Sequence, residues 1–168
     1  MVWRGSSSPR DRIFACLVYM IPLLEALPYG AYLFSQLPIL GTLILIPLAP
    51  FMMVNGVISS FPFGRLILFF VLLLAVVRNP RFRHFLRFNT MQALFLSIAL
   101  FLIEIVRGLL GISLVFLESS NSLMGLAISN LLFFVFFGAS VYSIVQCALG
   151  RYPEFPIVSD AAYQQVPY

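Results

Sequence analysis

Apolar positions in this chain come in runs of membrane length, and polar positions gather in the short stretches between them. The runs cover about 13–34, 60–77, 89–117 and 125–149. The hydrocarbon core of a bilayer, ~30 Å thick, is crossed by ~20 helical residues, so each run predicts one crossing. The chain therefore reads as an all-α integral membrane protein, a single membrane domain folded as a four-transmembrane-helix bundle. Local signals agree with these bounds. Ser8, Pro9 and Asp11 suit a helix start, and Pro22 and Pro28 interrupt the first run, with a kink expected at Pro22. Pro62 stands near the first turn of the second run, which Asn79 and Pro80 end. Asn89 and Gln92 have the spacing of a capping box and predict that the third helix begins there. Gly150 and Pro153 close the fourth. Between the first two runs, Pro38, Gly41, Pro47, Pro50 and Gly56 leave helical pieces of about ten residues. Such a Pro-broken stretch predicts an interfacial or re-entrant segment instead of a crossing.

Charge orients the bundle. Arg78, Arg81, Arg83, His84 and Arg87 crowd the loop 78–88, Arg4, Arg10 and Arg12 precede the first run, and Arg151 opens the tail 150–168. Glu118 falls at the opposite end. Basic loops stay on the side of synthesis, so an even number of crossings puts both termini and the basic loop in the cytoplasm or stroma. A fifth crossing in the proline-rich segment would separate the basic loop from the N-terminus, against that bias. A chain of 168 residues that is 61% hydrophobic and 10% charged, with mean hydropathy +1.02, cannot hide its apolar surface in one soluble core. Its net charge of +4 is carried by arginine alone at the expected membrane boundaries. No basic, aromatic-interleaved soluble segment is present to grip phosphates, which excludes nucleic acid as a partner.

Ionisable groups inside apolar runs are functional candidates by default, and here these are Glu25 and Glu104. At 1.5 Å per residue, Glu25 lies about 20 Å beyond Arg12 and Glu104 about 22 Å beyond Asn89. Arg107 and Arg65 reach a similar depth. That depth favours pairing or snorkelling that fixes helix packing, with Glu104 facing Arg107 or Arg65. The sharper reading is a proton-linked or substrate-contacting site. His84 reads as a solvated side chain, and Cys16 and Cys147 as small reduced residues in apolar surroundings. Small residues at four-residue spacing, Ala139, Ser143 and Cys147 with Ala93 and Ser97, permit close helix approach. There is no catalytic grouping, metal spacing or glycine-rich phosphate loop. The reading is of a protein that is no enzyme and needs no cofactor.

The segments DRIFACLVYMIPLLEALPYG, SFPFGRLILFFVLLLAVVRNPRFRHFLRFNTMQA and VYSIVQCALGRYPEFPIVSDAA, together with the opening MVWRGS, resemble the Tic20 family. That family is the small four-helix subunit of the translocon (TIC complex) at the chloroplast inner envelope membrane. RFNTMQA and the P-x-x-P-I-V-S-D-A-A tail carry the resemblance most specifically. It implies a subunit that helps precursor proteins cross the inner envelope into the stroma, working with other translocon subunits, precursor polypeptides, membrane lipids and copies of itself. The start, without a signal pattern or transit peptide, is similar to plastid-encoded algal or cyanobacterial members. A cyanobacterial member would sit in a plasma or thylakoid membrane. Two other classes are weighed beside this one: a small proton-linked transporter or exporter using Glu25 or Glu104, and a non-conducting assembly factor. Four proline-interrupted helices offer too few polar residues to line a wide aqueous pore, so the chain reads as one wall of a path.

Overall fold

The computed structural model describes residues 8–109, 123–155 and 158–166, and within them every regular element is helical, without strands. Helix α1, Pro9–Ala26, opens on a full capping box. Ser8 Oγ accepts from the Asp11 amide at 3.2 Å and Asp11 Oδ2 accepts from the Ser8 amide at 3.0 Å, an arrangement worth ~1 kcal/mol. Pro22 is accommodated inside α1, and winding changes only at the 3₁₀ turn Leu27–Gly30, which contains Pro28. Helix α2, Ala31–Gln36, follows. The run Pro9–Gln36 is 28 residues, ample for one crossing.

The next segment departs from the expectation of short broken pieces. Pro38–Ser60 forms one helix, α3, of 23 residues, with Pro47 and Pro50 inside it. Each proline removes one i→i−4 hydrogen bond. The two stand three residues apart on the same face, so the ladder on the other face continues, and apolar surroundings favour keeping it. The short helix is instead α4, Gly64–Leu72, prolonged by a π-helical turn at Leu73–Val77. Together they rise about 21 Å, less than a bilayer core. The four helices long and apolar enough to cross a membrane are thus Pro9–Gln36, Pro38–Ser60, His84–Val106 and Gly125–Ala148. The turn between α3 and α4 is tight. Phe63 takes a left-handed φ of 59°, and a Cβ on Gly64 would lie 1.8 Å from the Ile58 carbonyl oxygen, so only glycine fits.

Helix α5 runs His84–Leu109, and the expected continuation to 117 lies outside the described residues, as does Glu118. Because α5 starts at His84, Asn89 and Gln92 lie inside the helix and cap nothing, correcting the expected helix start. Helix α6, Leu123–Ala148, ends as expected at Gly150, whose φ is 73°. The tail then adds α7, Val158–Gln165.

Helix α1 is the centre of the bundle, packed against both α5 and α6. Tyr19, Leu24, Ala26, Phe85, Ala93, Leu96, Leu100, Phe133 and Phe136 form the main core. At Gly30 the absent side chain admits Phe133, whose ring would be 2.8 Å from a Cβ. A second cluster joins Val77, Phe88, Met91 and Leu94 to Ala162 and Val166 of the tail. Helix α3 lies on the outside, touching α2, α1 and α4. Ile39, Leu43 and Met53 leave its outer face strongly apolar and exposed.

Candidate functional site

At one end of the bundle three separated parts of the chain meet. Arg83 Nε of the basic loop lies 3.5 Å from Asp11 Oδ2 at the start of α1. Arg87 Nε donates to the Val77 carbonyl at 2.8 Å, tying α5 to the end of α4. His84 Nε2 donates to the Val166 carbonyl at 3.0 Å, and its Nδ1 faces the Tyr152 hydroxyl at 3.2 Å. A carbonyl only accepts, so Nε2 carries hydrogen, and in the neutral ring Nδ1 accepts from Tyr152. His84 is therefore a half-buried clasp on the tail, where the sequence suggested solvation. Arg78 and Arg81 stay exposed on the same end. The beginning of α1, the basic loop and the tail share one end, as an even number of crossings requires.

The run RFNTMQA lies directly behind this clasp. Asn89 is fully buried. Its Oδ1 accepts from Tyr19 Oη at 3.2 Å and from Cys147 Sγ at 3.1 Å, and its Nδ2 donates to the Phe85 carbonyl at 2.7 Å. One side chain thus ties α1, α5 and α6 together. Gln92 Nε2 donates to Ser159 Oγ at 3.3 Å, and Ser159 Oγ also accepts from the Phe155 amide at 2.7 Å. Phe88 packs against Tyr163 with ring centroids 4.4 Å apart. The two stretches that carried the family resemblance are therefore the two faces of one contact. Sequence reading missed Tyr19, Tyr152 and Ser159. Their one signal was a hydroxyl at an otherwise apolar position, which alone does not name a partner.

Deeper in the bundle the polar groups are less well matched. Glu25 of α1 faces Ser97 of α5. Glu25 Oε2 and Ser97 Oγ are nonetheless buried without a hydrogen-bond partner. The Arg65 guanidinium donates through Nε to Ser59 Oγ at 3.2 Å, near the α3–α4 turn. Glu104 accepts from the Tyr29 hydroxyl, linking α5 to the 3₁₀ turn after α1. The Arg107 side chain lies outside the described residues. So Arg65 joins Ser59, while Glu104 joins Tyr29. Among the described residues no three His, Cys, Asp or Glu side chains gather as a metal site would need.

Comparison with known proteins gives a consistent result. A family model described as chloroplast import apparatus Tic20-like matches residues 7–162. A Tic20 family protein of Synechocystis sp. is 39% identical over 171 residues, covering all of both chains. Protein TIC 20-II, chloroplastic, of Arabidopsis thaliana is 32% identical over 167 residues, 97% of this chain and 77% of the relative. The Tic20 family protein Ycf60 of Porphyra purpurea is 30% identical over 163 residues, 92% of this chain and 75% of the relative.

Proposed function

The chain belongs to the Tic20 family, and on that premise we propose that it is a subunit of a protein-conducting translocon. It helps precursor polypeptides cross the plastid inner envelope membrane into the stroma, or serves in the plasma or thylakoid membrane of a cyanobacterium. The observation that carries this reading is the family match over residues 7–162. Both termini and the basic loop face the stroma or cytoplasm, since the arginine-rich loop shares one end with the start of α1 and with the tail.

The subunit forms one wall of the path, as a channel component completed by other translocon subunits or by copies of itself. Its own centre is filled: Tyr19 and Phe133 are fully or nearly fully buried between α1, α5 and α6, leaving no room for a chain to pass there. The path side is the Pro-containing α3 with the boundary residues Glu25, Arg65, Glu104 and Arg107, near the far side of the membrane. Photo-crosslinkers placed in α3 test this on an arrested precursor. Adducts to the precursor from Leu43 or Met53 are the expected result, and adducts found only on other subunits would reduce the chain to an assembly factor.

One observation favours a second reading. The buried, unpartnered oxygen of Glu25 beside Ser97 is the kind of group a proton-linked transporter uses. Glu25→Gln with Glu104→Gln separates the two. Lost proton-coupled flux with intact complex assembly would select the transporter, and import that falls without any such flux selects the translocon wall.

A further inference from the structure

Where α1, α3 and α6 meet, the surface carries a furrow of about 540 Å³. It follows α1 from Pro9 to Met20 and is bounded by Phe51 of α3 and by Ile144 and Ala148 of α6. The eleven helical steps from Pro9 to Met20 rise about 16 Å, close to the thickness of one leaflet, half of a ~30 Å hydrocarbon core. One end is polar and the rest is not. Arg12 stands at the mouth, one residue from the Asp11 that meets Arg83 at the basic end of the bundle. Arg151 is exposed three residues beyond Ala148, at the same end.

We infer that this furrow holds one anionic membrane lipid, with an acyl chain along α1 and the acidic head group on Arg12. Charge complementarity and length select this occupant. A polypeptide segment would bring an amide donor and acceptor at every residue, and in hydrocarbon each must be matched. The apolar lining cannot do that, since even the Cys16 thiol already points to the Ile144 carbonyl at 3.5 Å. A lipid chain asks only for apolar contact. Arg12 has a contact within the protein, but a guanidinium presents five donors, and a phosphate-like head group can take those that remain. The bound lipid would cover the seam between α1 and α6 at the basic face and keep α3 apart from it.

The test is native mass spectrometry of the full chain in mild detergent, titrated with phosphatidylglycerol or with phosphatidylcholine of identical acyl chains. The expected result is one retained phosphatidylglycerol and weaker retention of phosphatidylcholine. Arg12→Gln should weaken the anionic lipid roughly fivefold, the effect of one basic group at a charged surface, and leave phosphatidylcholine unchanged. Ala148→Trp, at an exposed position where loss of folding is not at issue, should fill the furrow and weaken both lipids. Val71→Trp on the exposed face of α4 should change neither. Equal retention of the two lipids by the unaltered chain and by Arg12→Gln would overturn the inference, as would unchanged binding to Ala148→Trp. The readout is lipid on the isolated chain, so its outcome is separate from whether precursors pass along α3.

Discussion

Replacing Asn89 by leucine tests whether one buried amide holds the three main helices in register. The two side chains are similar in size, so the substitution removes polarity while leaving little cavity. What it strands can be read from the geometry. The Phe85 carbonyl loses only an extra donor, because it lies in the helix ladder. The Tyr19 hydroxyl, fully buried, loses its acceptor, and the Cys147 thiol loses a weak one. An orphaned buried donor costs ~1–3 kcal/mol, whereas polar contacts inside membrane bundles average ~0.6 kcal/mol with a maximum near ~1.7 kcal/mol. The site is wholly enclosed by protein, so about 2 kcal/mol is expected for Asn89→Leu. Tyr19→Phe alone should cost about 1 kcal/mol. Combined, the two should not add. With no hydroxyl left to strand, the double variant should sit near the Tyr19→Phe cost, about 2 kcal/mol less than the additive cost of about 3 kcal/mol. Reversible unfolding in mixed micelles, followed by far-ultraviolet circular dichroism, measures all four corners of the cycle. Additivity within ~0.5 kcal/mol would refute the claim that Asn89 and Tyr19 act as a pair.

Other outcomes follow from the same contacts. Gly64→Ala should disrupt the α3–α4 turn, since its Cβ would meet the Ile58 carbonyl oxygen at 1.8 Å, while Gly56→Ala, with nothing within 4 Å, should be neutral or stabilise by ~0.5–1 kcal/mol; melting of the two variants side by side checks this. Gly30→Ala should cost ~1–3 kcal/mol by pushing Phe133, 2.8 Å from the new Cβ, off the 3₁₀ turn that follows α1. Ala162→Asp places a charge in a fully buried position of the tail and should make the helix Val158–Gln165 sensitive to limited proteolysis, whereas Gln164→Asp at an exposed position should not. In a cysteine-free background, an impermeant maleimide should reach cysteines placed at Arg81 and Gln164 from one side of the membrane and one at Ser35 from the other; Arg81 and Gln164 reacting from opposite sides would contradict the shared end.

Much of this bundle is legible in its apolar runs, because length alone decides whether a segment can cross a bilayer. The capping box at Ser8 was equally readable, as Ser-Pro-x-Asp has few other uses before an apolar run. The proline-rich segment misled for a definable reason. The rule that proline ends a helix comes from water, where a broken ladder is re-solvated, and it weakens where no water is available to take the freed carbonyl. Asn89 misled differently. Asn and Gln three residues apart make a capping box at a helix end and a pair of inward tertiary donors in its middle. Only the partners on α1, α6 and α7 distinguish the two, and those lie 58 to 70 residues away in sequence.

The distribution of polar satisfaction argues for where the chemistry of this chain resides. Near the basic end the side chains of Asn89, Ser159 and His84 have matched donors and acceptors, and the oxygens left over there, on Thr90 and Gln92, belong to neutral groups. Neutral orphans cost ~1–3 kcal/mol each and are tolerated as part of a rigid contact. Glu25 is a different matter, because an ionised carboxylate in an apolar interior costs several kcal/mol unless it is paired. Arg65, at the start of α4, donates to Ser59 in this arrangement. On the proposed path along α3, a movement of the α3–α4 turn that brought the guanidinium onto Glu25 would couple that charge to the passing substrate. Arg65→Gln should then impair transport more than it lowers the melting temperature, whereas equal losses of both would assign the pair to packing alone.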